Sequence, residues 1–292
     1  MVGGYPSLMN ADVTVPPGVT VDAMQAHADS LARHFATMRD LAVDLDRFAR
    51  VPIPSSCSLA RDESATRSAR GGLVLGEYVQ ERAATVARYL RELHRSTLEV
   101  EPERLQLDFV LMYPMLRGAL ENSAALTWLL KPESSPERLE RFIRVLRRDV
   151  TQFVANNKRL AATRSDAIRV PSELFSCLAT SMETHGPLAT NYLDAAANSI
   201  GIDVRASQGQ VLTATPIVDV YGDGSVPHVV WRFLSDLTHF SFSVMKNSEI
   251  AQAESGEPVR VASLGLFTTT VVMAAKDALQ ALEQSTRPGA TG

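Results

Sequence analysis

Apolar side chains recur at the three-to-four-residue step of an α-helix along most of this chain. The clearest run is Leu139, Phe142, Ile143, Leu146, Val150, Phe153, Val154 and Leu160. A stripe of that period must be buried against other helices, and it cannot serve as a strand, whose faces alternate every second residue. Residues 21–50 carry a second such stripe, through Met24, Leu31, Phe35, Met38, Leu41, Leu45 and Phe48. Prolines at 52 and 54 end it, because neither can continue a helix. Further helices are expected from about 62 to 98, with a weak point at Gly71-Gly72, and from about 102 to 130, with Pro114 inside. A helix at 136–164 follows Ser134 or Ser135 as N-cap and Pro136 as first helical residue. Shorter helices are expected near 171–184 and 187–200, then longer ones over 227–249 and 259–284. Asn157 falls within the stripe of 136–164, where a polar residue typically fixes a packing register.

One segment breaks the pattern. Residues 201–226 are punctuated by Gly201, Gly209, Pro216, Gly222 and Gly224, and the runs 210–214 and 217–221 are rich in β-prone residues. The expected architecture is therefore all-α: a multi-helix bundle with an irregular or short β-hairpin insertion near 201–226. A flexible N-terminal arm over 1–19, a single helical domain over 20–284 and a disordered tail over 285–292 complete the expectation.

Charge narrows the functions. The chain of 292 residues has a formal net charge of −4, which excludes a generally basic coat for nucleic acid. Of its 29 basic residues, 25 are Arg, the side chain suited to gripping single phosphates or carboxylates. Cys57 and Cys177 lie too far apart in sequence for a metal knuckle and read as isolated thiols of a reducing compartment. The first residues lack a basic region followed by an apolar stretch, and the most apolar window, 264–275, reads as a buried core helix. The expectation is a cytoplasmic protein without membrane contact. No phosphate loop, dinucleotide fingerprint, zinc-protease motif or nucleophile elbow occurs, so no cofactor or metal is implied. His27 and His34, seven apart, have no carboxylate or thiol at a supporting spacing.

Two constellations stand out. On the helix near 102–130, Arg117, Glu121 and Trp128 share a flank among Gly118, Ala119, Ser123, Ala124 and Ala125. Arg117 and Glu121 are one turn apart and can pair, while the small residues let another helix approach closely. The pair is read either as a structural ion pair or as an Arg held in a ligand pocket by Glu121. On the helix near 227–249, the face opposite Val230, Leu234 and Leu237 carries Arg232, Ser235, Asp236 and His239. Arg232 and His239 are two turns apart, about 10 Å along the axis, within reach of one anionic group. Ser235 is one turn from His239 and close enough to bond it. The plain alternative is a solvated polar face. Arg138, Arg141, Arg144, Arg147 and Arg148 read likewise as a solvated helix face, with Glu137 and Glu140 nearby.

The segment RGALENSAALTWLLKPESSPERLERFIRVLRR resembles a pattern of uncharacterised all-helical bacterial proteins. Those also carry an aromatic-Arg-x-Leu-Ser-x-x-x-His element, matched here by Trp231, Arg232, Leu234, Ser235 and His239. The Arg232 to His239 spacing is similar to the Arg-(four to six residues)-His motif of the HEPN superfamily of helical nucleotide-binding and RNase proteins. That resemblance implies metal-independent RNA cleavage by a toxin or defence protein. The 2′-OH would attack the adjacent phosphate, His239 would act as general acid or base, and Arg232 would stabilise the phosphorane. Ser235 or Asp236 would orient the imidazole, and two protomers would share the site. The expected partners are thus RNA or a nucleotide together with a second copy of the chain. The competing expectation is a non-enzymatic module that binds a small anion, nucleotide or protein through Arg117/Glu121 and the Arg232/His239 face.

Overall fold

The computed structural model describes residues 20–68, 74–99, 107–162, 191–203, 211–239, 243, 246–247, 250–251, 254 and 259–288. Helix α1 is Val21–Arg50, α2 Ser58–Ser68, α3 Leu75–His94, α4 Phe109–Leu130 and α5 Ser135–Ala162. A single π-helical turn, Arg95–Glu99, follows α3. Helix α6 covers 191–199, α7 is Thr215–Tyr221, α8 Val226–Thr238 and α9 Val259–Thr286. Among the described residues there is no strand, only an isolated antiparallel bridge between Cys57 and Pro288. The all-α expectation is met.

The chain divides into two compact units. The first comprises residues 1–52, 79–128 and 213–284. Its core follows the sequence stripes. Leu31, Phe35, Met38 and Leu45 of α1, Val79, Val86 and Leu90 of α3, and Leu116 and Leu120 of α4 are all fully buried. Each such side chain contributes about 1.5–3 kcal/mol by leaving water. Helix α9 supplies Leu264, Val271, Ala274, Ala275 and Ala278. It is long and apolar enough by length and composition to cross a bilayer, but these residues are spent on the core of this unit.

The second unit comprises 53–78, 129–212 and 285–292. Here α2 packs on α5, which buries Leu139, Phe142, Ile143 and Val145. The later part of the α5 stripe is less covered, and Phe153 is exposed. Cys57 is a buried free thiol whose sulfur accepts the Ala60 N–H at the start of α2.

Several boundaries differ from the expectation. The helix foreseen over 62–98 is two helices, α2 and α3, and Gly71-Gly72 lies outside the described residues. Helix α4 begins at Phe109, where the Asp108 carboxylate accepts the N–H groups of Val110 and Leu111 and so acts as the cap. The run 217–221 is helical, not a strand. Pro216 presets the first turn of α7, and the buried Ile217 anchors it. Residues 204–210, the centre of the foreseen hairpin, lie outside the described residues. Helix α8 stops at Thr238, where the Thr238 hydroxyl bonds the Leu234 carbonyl and His239 leaves helical geometry, and the described residues 243, 246–247, 250–251 and 254 are helical again. Helix α9 continues to Thr286, with Ser285 buried and its carbonyl accepting the Ser58 hydroxyl. Residues 289–292, the arm over 1–19, the foreseen helix at 171–184, Cys177 and the Asn157 side chain lie outside the described residues.

Candidate functional site

Helix α4 carries Arg117 and Glu121 one turn apart, and the pair forms as the spacing predicts. Arg117 Nε donates to Glu121 Oε1 at 2.8 Å, with the two side chains 22% and 23% exposed. The same Oε1 accepts the indole N–H of Trp231 at 2.7 Å. One carboxylate oxygen thus joins α4 to α8 across 110 residues of sequence. Two donors on one oxygen hold the carboxylate in place, and it in turn fixes the inner edge of the guanidinium. The terminal nitrogens of Arg117 have no hydrogen-bond partner among the described residues.

The small residues of α4 work as their size suggests. The Tyr89 ring of α3 lies over Gly118, where an added Cβ would come within 2.7 Å of it. Ala119, Ser123 and Ala124 are fully buried. Asn122, next to the pair, accepts Arg82 Nη1 at 2.9 Å and donates back to the Gly118 carbonyl.

Trp128, grouped with Arg117 and Glu121 by the helical period, is used differently. It is buried, and its one N–H goes to Asp219 Oδ2 of α7 at 2.8 Å. The aromatic residue on Glu121 is Trp231, which no spacing within α4 could reveal. Tyr221, also on α7, donates to Asp277 Oδ2 of α9 at 3.1 Å. Burial and then the Asp277 charge push the Tyr221 pKa well up, so the phenol stays a donor. These two bonds pin α7 as a helix at both faces.

The turn between α7 and α8 contains Gly222 and Gly224, both at positive φ, with Asp223 between them. Ser225 caps α8 by accepting the His228 N–H. His228 stacks on Trp231, with centroids 6.1 Å apart and planes at 24°. Its Nδ1 lies 3.1 Å from Gly224 N and 3.0 Å from Asp223 Oδ1. As an acceptor the ring nitrogen serves Gly224, and as a donor it serves Asp223, so whether Nδ1 carries a hydrogen decides which contact is made.

The second constellation faces outward. Arg232, Asp236 and His239 are exposed, and Ser235 is half-buried. His239 sits just past the end of α8, its backbone N–H bonded to the Ser235 carbonyl. Among the described residues no hydrogen bond joins Ser235 Oγ or the Asp236 carboxylate to the imidazole. Val226, Val229 and Phe233 are exposed beside them.

The arginine run of α5 is not the solvated face expected of it. Arg138 and Asp62 are 8% and 1% exposed, and Arg138 Nε donates to Asp62 Oδ2 at 2.6 Å. Arg138 Nη1 donates to the carbonyls of Pro132 and Glu133, and Ser135 Oγ donates to Asp62 Oδ1. Ser135, one of the two expected caps, therefore spends its hydroxyl on a carboxylate 73 residues away. Arg141 pairs with Glu137, Arg147 with Asp194 and Arg148 with Asp149. The sequence signal for the Asp62 pair is slight: a lone Asp on a short polar helix.

His34 bonds outside any metal site. Its Nδ1 and Nε2 lie 2.9 and 3.3 Å from the Thr268 and Thr269 hydroxyls. Among the described residues no three His, Cys, Asp or Glu side chains converge as a metal ion requires. No family model matches the chain, and neither a curated protein nor a solved structure is similar to it.

Proposed function

We propose that this chain is a helical binding module that takes a small anion at Arg117. The observation carrying this reading is the division of labour on that guanidinium. Its Nε edge is held by Glu121, itself held by Trp231, while its terminal nitrogens have no partner among the described residues. A guanidinium oriented on one edge and open on the other offers a planar two-donor fork to a carboxylate or phosphate. Its orienting bonds exist before the ligand arrives, so little ordering cost attends binding.

The test is a thermal-shift screen of nucleotides and acidic metabolites. The expected result is a ligand that raises the melting temperature of the wild type and loses its effect in Arg117→Ala. A shift that survives in Arg117→Ala would remove the reading.

The exposure of Arg232, Asp236 and His239 favours a second reading, the HEPN-like ribonuclease. A polynucleotide can reach all three without rearrangement of the core. Expression of the wild type, Arg232→Ala and His239→Ala, followed by total-RNA integrity, separates the readings. RNA degraded by the wild type and spared by both variants supports the nuclease. Intact RNA in all three removes it.

A further inference from the structure

The five arginines between 138 and 148 of α5 are balanced one by one, with a single exception. Arg138 has Asp62, Arg141 has Glu137, Arg147 has Asp194 and Arg148 has Asp149. Arg144 has no ion-pair partner among the described residues, and its Nε is buried without a hydrogen-bond acceptor. Glu140, one turn before it, is placed for the usual (i, i+4) pair, yet no ion pair joins the two. Buried polar atoms in folded proteins nearly always have partners, and a desolvated guanidinium edge without one is costly.

We propose that Arg144 is the centre of a second binding site, in the unit formed around α5, and that its ligand is a phosphate group. Three observations define the chemistry. The unpaired group is a permanent cation, so an anion compensates both its open N–H and its charge, which a neutral acceptor does not. Arg141, Arg147 and Arg148 all lie within about 60° of Arg144 around the helix axis, so four guanidinium groups share one side of the helix. A phosphate, with its several acceptor oxygens, can bridge such a set where a carboxylate engages one fork. The site suits a single phosphate rather than a nucleic-acid backbone. The side chains of Arg141, Arg147 and Arg148 are only about a fifth exposed, and each already has a carboxylate.

The site is independent of the Arg117 reading, and calorimetric titration of the full chain in a background that lacks the Arg117 fork separates them. Inorganic phosphate, adenosine monophosphate and acetate are titrated at low salt into Arg117→Gln and into the double variant Arg117→Gln/Arg144→Gln. The expected result is saturable phosphate binding by Arg117→Gln, weakened at least tenfold in the double variant. Adenosine monophosphate binding tenfold tighter than phosphate to Arg117→Gln would assign a nucleotide source, and equal affinities would assign the phosphate group alone. Acetate binding to Arg117→Gln as well as phosphate does would overturn the proposed class. No saturable binding by Arg117→Gln, or equal affinity in the double variant, would overturn the site. Without ligand, Arg144→Gln is expected to melt no lower than the wild type, because it removes a half-buried charge whose Nε has no acceptor. A clear drop in melting temperature would mean that Arg144 has a structural partner, and would overturn the proposal as well.

Discussion

Arg117–Glu121 and Arg138–Asp62 are chemically the same pair in two different settings. Arg117 is bonded at one edge, about a fifth of its side chain is exposed, and its partner is one turn away on the same helix. Arg138 is almost wholly buried and bonds a carboxylate 76 residues distant plus two carbonyls, while Ser135 takes the other carboxylate oxygen. The difference teaches what burial does to an ion pair. Where both side chains are almost wholly buried and one carboxylate and two carbonyls hold the guanidinium, the pair is a lock, and losing one partner strands a charge. Where donors are left over at a partly open edge, the pair can still act on something else.

The strongest way to break this contrast is Arg138→Met. It leaves Asp62 buried without its cation, and the expected loss is about 3–5 kcal/mol in urea unfolding. The double variant Asp62→Leu/Arg138→Met, which removes both charges, is expected to recover most of that loss. A single variant within about 1 kcal/mol of the wild type would show that the pair is not a lock. Next comes Trp231→Phe, which keeps an aromatic ring at the position and removes the N–H on Glu121. A bond to a charged group predicts about 1.5–3 kcal/mol, read from the same unfolding curves. Arg117→Met is expected to cost less, about 1 kcal/mol or below, because its edge is open and Trp231 still holds Glu121. If Arg117→Met proved as costly as Arg138→Met, the two settings would not differ as described.

The smallest effect concerns pH in the unit that carries the open pair. Burial, then the neighbouring Arg33 charge, lowers the His34 pKa below its ordinary 6.5. The folded state therefore binds fewer protons than the unfolded chain. The stability that His34 contributes is complete above pH 6.5 and is lost as pH falls through that value toward the folded pKa. Melting curves between pH 7.5 and 5 are expected to decline for the wild type and to flatten in His34→Gln. Parallel declines in both would assign the acid sensitivity elsewhere.

Much of the fold is legible in the chain. The apolar period of α1 and of the first half of α5 places the buried residues, and the expected helix start at 227 falls one residue from the observed start of α8 at Val226. The errors share a cause. Residues 217–221 are β-prone by composition, but that propensity is weak beside the burial of Ile217 and the bonds from Trp128 and to Asp277. The α5 arginines read as a solvated face because helical periodicity reports which face a residue is on and not what lies over it. Asp194 of α6 and Asp62 of α2 cover parts of that helix, and both are distant in sequence.

The candidate sites divide along the same line. The Arg117–Glu121 pair is a local event, set by one helical turn, so sequence alone determined it. Sequence also determined the helical class, because a period of three to four residues leaves the chain no other way to bury its apolar groups. Tertiary structure decided the rest. It brought Trp231 rather than Trp128 to Glu121, buried Asp62 against Arg138, and left Arg144 without a counter-charge among its paired neighbours. Such contacts depend on side chains meeting from separate elements after the helices pack, and no periodicity within one helix encodes which partner will arrive.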